Sequence, residues 1–267
     1  MRSTVYSRME YLKRIQRENR LVKYVQAAAV AGLLIMWEAV TALKIADPFI
    51  VSSPVRMIKT FVQMAGADLW VHVAYTVGET LAGFTIGVII GMCIAVGLWF
   101  FPLLNRVAAP FLVVLNSLPK VALGPVIIVW AGAGMSAIIT MAVAISLIVT
   151  VMELSHGFYA TDTNLLTTVQ SFGATKWESF VKIVLPCNIP VLFQSLKVNI
   201  GLSLVGVIAG EFLVSKAGLG YLIVYAGQVF RMDLVMMSVV LLGFIAFGMY
   251  SCINLLEKLA VKFINHI

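Results

Sequence analysis

Long runs of apolar residues dominate this sequence. The segment 81–101 contains no charged residue at all, and similar runs recur along the chain. A helix needs about 20 such residues to cross the hydrocarbon core of a bilayer, whereas the core segments of soluble proteins are shorter. Only 12% of the residues are charged, against about a quarter in soluble proteins. The chain is therefore expected to be an integral membrane protein.

The apolar runs predict an all-α, polytopic membrane fold with about six transmembrane helices. We expect one membrane domain over residues 25–257, preceded by the segment 1–24 and followed by the tail 258–267. The predicted spans are Val25–Leu43, Ala74–Phe100, Ala108–Ala131, Ala137–Gly157, Pro190–Val214 and Leu234–Leu255. A short turn is expected at Pro102–Arg106, and an outer loop from Ser215 to about Asp233.

The first 24 residues are strongly basic, with seven Lys or Arg against two Glu. Such a run can be a nucleic-acid-binding arm, but here an apolar span begins at once at Val25, which favours orientation by the positive-inside rule. We therefore expect no nucleic-acid partner and cytoplasmic N- and C-termini. The segment lacks the cleavage site of a signal peptide, so we expect it to be retained.

The residues that usually carry catalysis or metal binding are scattered. The three cysteines and three histidines are far apart in the sequence, without the spacing of a metal site or redox motif. No nucleotide-binding motif G-x-x-x-x-G-K-[ST] occurs. The sequence therefore predicts no catalytic residue, no metal and no cofactor bound by this chain.

Two local patterns predict how the helices are arranged. Ser53 and Pro54 are typical of a capped helix start, and the residues that follow predict an amphipathic helix on the outer membrane surface. In the second span Gly83, Gly87 and Gly91 recur every four residues. This spacing is typical of a close helix-packing face, although a merely flexible helix is the alternative.

Polar residues within the spans are candidates for a substrate pathway, because such groups are costly in lipid. Pro119 and Pro125 interrupt the third span, and Lys120 lies at this break. Lys120 is expected either to attract an anionic solute or to form a buried ion pair with Glu211 or Glu153. The candidate pathway residues are Asn116, Ser117, Lys120, Asn199, Ser203 and Glu211.

The polar segment 158–188, between the fourth and fifth spans, is expected to be cytoplasmic. Thr163–Phe172 predicts a short helix capped by Asp162 or Thr163, and Gly173 suits its end because glycine tolerates a positive φ. A second short helix is predicted from Trp177 onwards. Two short helices joined at a glycine form a compact projection that can receive force from a soluble partner.

The chain resembles the permeases of bacterial ABC importers, and is most similar to the nitrate, sulfonate, taurine and bicarbonate branch. Gly173-Ala174, then Leu185-Pro186, matches the cytoplasmic signature loop of that family. Further similarity lies at Ser52-Ser53-Pro54, Leu118–Pro125, Trp130–Gly134, Glu211 and Gly218–Tyr221.

The resemblance implies the transmembrane domain of a type I ABC importer in a bacterial inner membrane. It implies a permease homodimer, two ATPase subunits that bind ATP and Mg²⁺, and an extracytoplasmic solute-binding protein. The residues that would contact the ATPase are Thr167, Thr168, Val169, Gly173, Ala174, Trp177, Leu185 and Pro186.

The sequence departs from the family at two places. Thr167-Thr168-Val169 replaces the usual Glu-Ala-Ala, so a carboxylate common in the ATPase-binding helix is missing, and Glu79 occupies a position that is usually basic. The expected function is ATP-driven uptake of a small, anionic solute by alternating access. The alternative is a stand-alone secondary carrier or channel.

Overall fold

The computed structural model describes the backbone of residues 2–264. Within this range the chain is almost entirely helical, as expected. Its α-helices are α1 Arg2–Ala42, α2 Pro48–Val51, α3 Pro54–Ala65, α4 Leu69–Phe100, α5 Pro102–Ser117, α6 Gly124–Ala131, α7 Met135–Tyr159, α8 Thr163–Ser171, α9 Lys176–Ser179, α10 Leu185–Cys187, α11 Ile189–Val214, α12 Leu219–Gln228 and α13 Met232–Ile264.

The described helices account for the expected membrane spans. Five are long and apolar enough to cross a bilayer, namely the Arg20–Ala42 part of α1, α4, α7, α11 and the Met232–Lys262 part of α13. At the place of the expected third span, α5 and the segment Lys120–Ala131 form a bent pair that meets at an angle of 84°. Counted as one span, this pair brings the total to six. The break follows from Pro119, which has no N–H to continue the helix.

Helix α7 forms the centre of the bundle, between α4 and α11. Gly83, Gly87 and Gly91 of α4 all face it, and a Cβ atom at any of them would come within 3 Å of an α7 side chain. Those side chains belong to Ala142, Ser146 and Thr150. The three glycines thus permit the close approach of α4 to α7, which supplies packing contacts between helices in lipid.

Helix α11 approaches α7 from the other side by the same means. A Cβ atom at Gly206 would lie 2.6 Å from the Cα of Ala142, and one at Gly210 would lie 2.9 Å from the Cα of Ile138. Glycines on α4 and on α11 therefore let both helices approach α7 closely.

Two parts of the chain are more helical than the sequence predicts. Pro102–Arg106 was expected to form a turn, but Pro102 begins α5, because its fixed φ suits the first turn of a helix. The segment between the fifth and sixth spans was expected to be a loop, but it contains α12.

The amphipathic helix after Ser53 is confirmed as α3. The Ser53 hydroxyl accepts a hydrogen bond from the Arg56 N–H at 3.4 Å, and Thr60 of α3 donates to the Asp233 carboxylate of α13 at 2.8 Å. Glu38 of α1 accepts a hydrogen bond from the Val55 N–H at 3.1 Å. These contacts attach α3 to the two helices beside it.

The two ends of the chain continue the helices next to them. Helix α1 includes both the basic segment and the first span, and α13 runs past position 258 to Ile264. The expected boundaries at 24/25 and 257/258 are therefore not marked by a break in helix. Residues 1 and 265–267 of the expected terminal segments lie outside the described residues.

Candidate functional site

The 158–188 segment folds as two short helices joined at a glycine, as expected. The Asp162 carboxylate accepts a hydrogen bond from the Asn164 N–H at 2.8 Å and starts α8. Helix α8 ends at Ser171, and the turn after it contains Gly173, where φ is +88°. The Ala174 N–H then donates to the Val169 carbonyl at 3.1 Å, which satisfies a carbonyl at the helix end. We call α8, the Gly173 turn and α9, residues 163–179, the knob.

Helix α9 begins with a capping box. The Thr175 hydroxyl accepts a hydrogen bond from the Glu178 N–H at 3.2 Å, and the Glu178 carboxylate accepts one from the Thr175 N–H at 2.9 Å. This backbone hydrogen bond, helped by the Thr175 hydroxyl and by Lys182, holds the pKa of Glu178 below its ordinary value. The chain then continues through a π-helical turn, Phe180–Val184, into α10.

A cluster of aromatic side chains anchors the knob to the bundle. Phe180 is buried, and its ring centroid lies 5.4 Å from that of Phe158 on α7 and 5.1 Å from that of Trp99 on α4. Trp177 of the knob stacks on Phe100 at 5.9 Å. These ring contacts join the end of α9 and the turn after it directly to α4 and α7.

Hydrogen bonds make a second attachment at the start of α11. The Asn188 amide donates to the Thr161 hydroxyl and to the Val184 carbonyl, each at 2.8 Å. On the opposite side of the segment, the Tyr159 hydroxyl donates to the Leu98 carbonyl of α4 at 2.8 Å. The base of the knob is thus attached to α4, α7 and α11.

The tip of the knob is exposed and carries two large apolar side chains among polar ones. The Phe172 side chain is 88% exposed, and that of Trp177 is 61% exposed. The hydroxyls of Thr167 and Thr168 donate back to carbonyls of their own helix, at 2.8 and 2.7 Å. Their hydrogen-bonding needs are met within α8, so this face can pack against a partner largely through apolar contacts.

Two of the expected coupling residues lie at the base rather than the tip. Leu185 is half-buried and packs against the aromatic cluster. Pro186 is exposed in α10. Val169 and Ala174 line a groove between α8 and α9 with a volume of about 320 Å³.

A second group of candidates lies at the break after α5. Lys120 Nζ donates to the Asn116 carbonyl at 2.9 Å and to its side-chain oxygen at 3.3 Å. The Ser117 hydroxyl donates to the Val114 carbonyl at 2.8 Å. The lysine therefore caps the C-terminal end of α5, where a positive charge is favourable. Within the described residues it forms no ion pair with Glu211 or Glu153, so the buried-pair alternative was wrong.

The candidates on α11 are buried within the bundle. Asn199 and Ser203 are both fully buried. The Asn199 amide donates to the Ser195 carbonyl at 2.9 Å and to the Ser195 hydroxyl at 3.1 Å. The structure thus brings Asn116, Ser117 and Lys120 together but places the α11 residues apart from them.

Glu211 is buried against the start of α12. Its carboxylate accepts hydrogen bonds from the Thr76 hydroxyl at 2.6 Å, the Gly220 N–H at 2.5 Å and the Tyr221 N–H at 3.4 Å. In this conformation Glu211 therefore caps α12. Within the described part of the chain, no cluster of His, Cys, Asp and Glu could hold a metal ion.

Comparison with known proteins identifies the family. Residues 83–266, which contain α5 to α12, match the family described as binding-protein-dependent transport system inner membrane component. This match covers more than half of the chain. The chain belongs to this family.

Curated relatives of this permease agree with that assignment. It is 29% identical to the riboflavin transport system permease protein RibX of Chloroflexus aurantiacus over 86% of each chain. It is 24% identical to the taurine transport system permease protein TauC of Escherichia coli, again over 86% of each chain. The permease is therefore a membrane subunit of an ABC importer.

A solved structure supports the fold. The permease matches a chain of the inward-facing MetNI methionine ABC transporter with a TM-score of 0.64 and 18% identity. The match covers 72% of the permease and 96% of that chain. The fold is accordingly that of a type I ABC importer transmembrane domain.

Sequence reasoning missed several residues that hold the permease together. Asn188 and Tyr159 connect the knob region to the bundle, and Thr76 and His72 contact the start of α12. Their partners lie 27 to 146 positions away in the sequence. No local pattern indicates pairs at such distances.

Proposed function

We propose that the permease forms a homodimer that two ATPase subunits drive through the knob, residues 163–179. The observation that carries this proposal is the combination of a tip that exposes Phe172 and Trp177 with a base attached to α4, α7 and α11. A flexible loop would bend when an ATPase subunit moves and would not displace the transmembrane helices. The aromatic contacts of Phe180 and the hydrogen bonds of Asn188 instead transfer that movement to the helices that form the core.

The knob would sit in a groove on each ATPase, on the cytoplasmic side together with both chain termini. Closure of the two ATPases would bring the two knobs together and turn the dimer from inward-facing to outward-facing. A solute-binding protein would deliver the cargo from the other side of the membrane. ATP and Mg²⁺ would bind the ATPase subunits, since this sequence has no nucleotide-binding motif.

We propose a small anionic solute, such as a sulfonate, nitrate or taurine-like compound, as the cargo. Lys120, half-buried at the break after α5, supplies a positive charge next to the polar side chains of Asn116 and Ser117. One relative is a taurine transport permease, but another is a riboflavin transport permease. Solute selection would rest largely with the binding protein.

A stand-alone carrier or channel is the second candidate function. Such a protein has no need of a rigid projection that exposes two large apolar side chains at its tip, and the family is that of binding-protein-dependent systems. The comparison therefore favours the importer.

Co-purification in mild detergent distinguishes the two functions. The permease would be isolated with the products of neighbouring genes, and ATP-dependent uptake would be measured after reconstitution. Isolation of an ATPase, with uptake that requires ATP hydrolysis, supports the importer. Uptake by the permease alone, without ATP, would instead support the carrier.

A further inference from the structure

The start of α12 is capped entirely by side chains from other helices. Glu211 of α11 accepts from the N–H groups of Gly220 and Tyr221. The two N–H groups before these are satisfied by α4. The Leu219 N–H donates to the Thr76 hydroxyl at 2.8 Å, and the Gly218 N–H donates to Nδ1 of His72 at 3.0 Å. The four N–H groups thus fix α12 to α4 and α11.

These contacts determine the charge states of two capping residues. Nδ1 of His72 accepts a hydrogen bond, so it carries no proton and the imidazole is neutral. The Glu211 carboxylate accepts hydrogen bonds from Gly220, Tyr221 and Thr76, and it lies at the positive end of the α12 dipole. Both features favour its ionised form and offset the cost of burying the charge.

Glu79 of α4 lies one helical turn after Thr76, the residue that donates to Glu211, and so it is close to Glu211, but its surroundings are different. Its side chain is only 2% exposed, and Oε2 is buried without any hydrogen-bond partner. Within the described residues it has no cationic partner. A second negative charge here would be desolvated and repelled by Glu211, whereas a protonated Glu79 can donate a hydrogen bond to it.

A cavity of about 420 Å³ connects Glu79 to the surface. Glu79 lines it, together with Tyr75 of α4, Lys216 of the segment before α12, and Met135 and Ile138 of α7. Lys216 is exposed. The cavity gives a proton a route between Glu79 and water.

We propose that Glu79 and Glu211 form a proton-binding site, in which one proton on Glu79 bridges the two carboxyl groups at neutral pH. The proton joins α4 to α11 at the point where both hold α12. Its loss to water through the cavity leaves two adjacent carboxylates, whose repulsion separates α4 from α11 and loosens α12. The site does not depend on the proposed transport partners.

The titratable groups around the site act in different ways. On α4, His72 accepts from Gly218 and Tyr75 lines the cavity. Lys216 lines the same cavity without pairing with Glu79, and Tyr221 is on α12. Protonation of His72 in acid would break its bond to Gly218 and also loosen α12. A pH series that begins at neutrality and rises therefore isolates the carboxyl pair from His72.

Infrared spectroscopy of the purified permease in detergent tests the proposal directly. A protonated carboxyl has a C=O stretching band that ionised carboxylates lack and that shifts in ²H₂O. We expect this band at neutral pH in the wild type and its loss in Glu79→Gln. The amide in that variant keeps the shape and the hydrogen bond to Glu211 but cannot ionise.

The matched control is Glu153→Gln, since Glu153 is another span carboxyl with a buried, unpartnered Oε2. We expect this variant to keep the band. Absence of the band from the wild type, its persistence in Glu79→Gln, or its loss only in Glu153→Gln would each overturn the proposal.

Thermal unfolding provides a second measurement. The wild-type melting temperature should fall as the pH rises from neutrality and should level off once the folded pair has lost its proton, because only up to that point does the folded state hold a proton that the unfolded state lacks. Glu79→Gln should show a smaller dependence over the same range. An equal dependence in both proteins would contradict the proposal, whatever the infrared result.

Discussion

The amide of Asn188 donates a hydrogen bond to the hydroxyl of Thr161 across a distance of 2.8 Å. This bond joins the beginning of α11 to a residue two positions before the knob. The same amide also donates to the Val184 carbonyl, a few residues after the knob. Buried hydrogen bonds thus hold the two ends of the segment that carries the knob to each other and to the start of α11.

Replacement of Asn188 by Asp should weaken this connection. Asp has the same shape but lacks the N–H donors, so its carboxyl oxygen would face the Val184 carbonyl. The loss of satisfied buried hydrogen bonds should cost about 1–3 kcal/mol of stability. The melting temperature should fall, and the ratio of ATP hydrolysis to uptake should rise. Thr161→Ser keeps the acceptor hydroxyl and should behave like the wild type. Wild-type behaviour of Asn188→Asp would mean that the bond has no role.

Gly87→Ala should destabilise the bundle, and Gly97→Ala should not. A Cβ atom at position 87 would overlap the Ser146 hydroxyl of α7, whereas one at position 97, on the same helix, has no atom within 4 Å. Overpacking of this kind costs about 1–3 kcal/mol. Thermal unfolding in detergent compares the two variants. Equal melting temperatures would show that α4 and α7 do not pack as closely as described.

The stability of the α9 capping box should depend on pH. The hydrogen bond from the Thr175 N–H holds the pKa of Glu178 below its ordinary value. The folded state thus favours the carboxylate, and this contribution is complete above the ordinary pKa of Glu and is lost as the pH falls through the lowered value. Limited proteolysis of the knob should accelerate over that acidic range.

The control for this prediction lies at the same position. Glu178→Gln keeps an oxygen that can accept from Thr175 but does not titrate, so its cleavage rate should be nearly independent of pH there. Glu178→Ala should be cleaved faster than the wild type at neutral pH. Identical pH profiles for the wild type and Glu178→Gln would rule out Glu178 as the titrating group.

Lys120 should matter for the uptake of an anionic solute. A hydrogen bond to a charged group contributes about 1.5–3 kcal/mol, so Lys120→Gln should raise the KM for an anion by about tenfold or more. Lys120→Arg keeps the charge and should have a smaller effect. If both variants transport the solute like the wild type, Lys120 serves only as the cap of α5.

The sequence predicted the parts of the fold that depend on local chemistry. Apolar runs long enough to cross a bilayer predicted the spans, and the need for positive φ identified Gly173, where φ is +88°. The proline at position 119 correctly indicated the break in the third span. Each of these inferences needs only the residue and its immediate neighbours.

The parts that were missed depend on distant partners. Helix α12 has no capping side chain next to it in the sequence; its first N–H groups are capped by Glu211 of α11 and by two side chains of α4. It was therefore read as a loop. Lys120 was considered for a pair with Glu211 or Glu153, but it contacts Asn116, one helical turn before it. The rotation and packing of the helices decide which charged side chains meet in a bundle. Sequence periodicity alone does not predict that rotation.

The coupling efficiency of Gly173 variants tests the central claim most directly. The permease and its ATPase would be reconstituted in proteoliposomes, and ATP hydrolysis and solute uptake would be measured on the same sample. Val strains the positive φ that joins α8 to α9, whereas Asn tolerates it. The account predicts that Gly173→Val hydrolyses ATP with little uptake while Gly173→Asn retains both. Normal uptake by Gly173→Val, at an unchanged ratio to hydrolysis, would contradict the role of the knob.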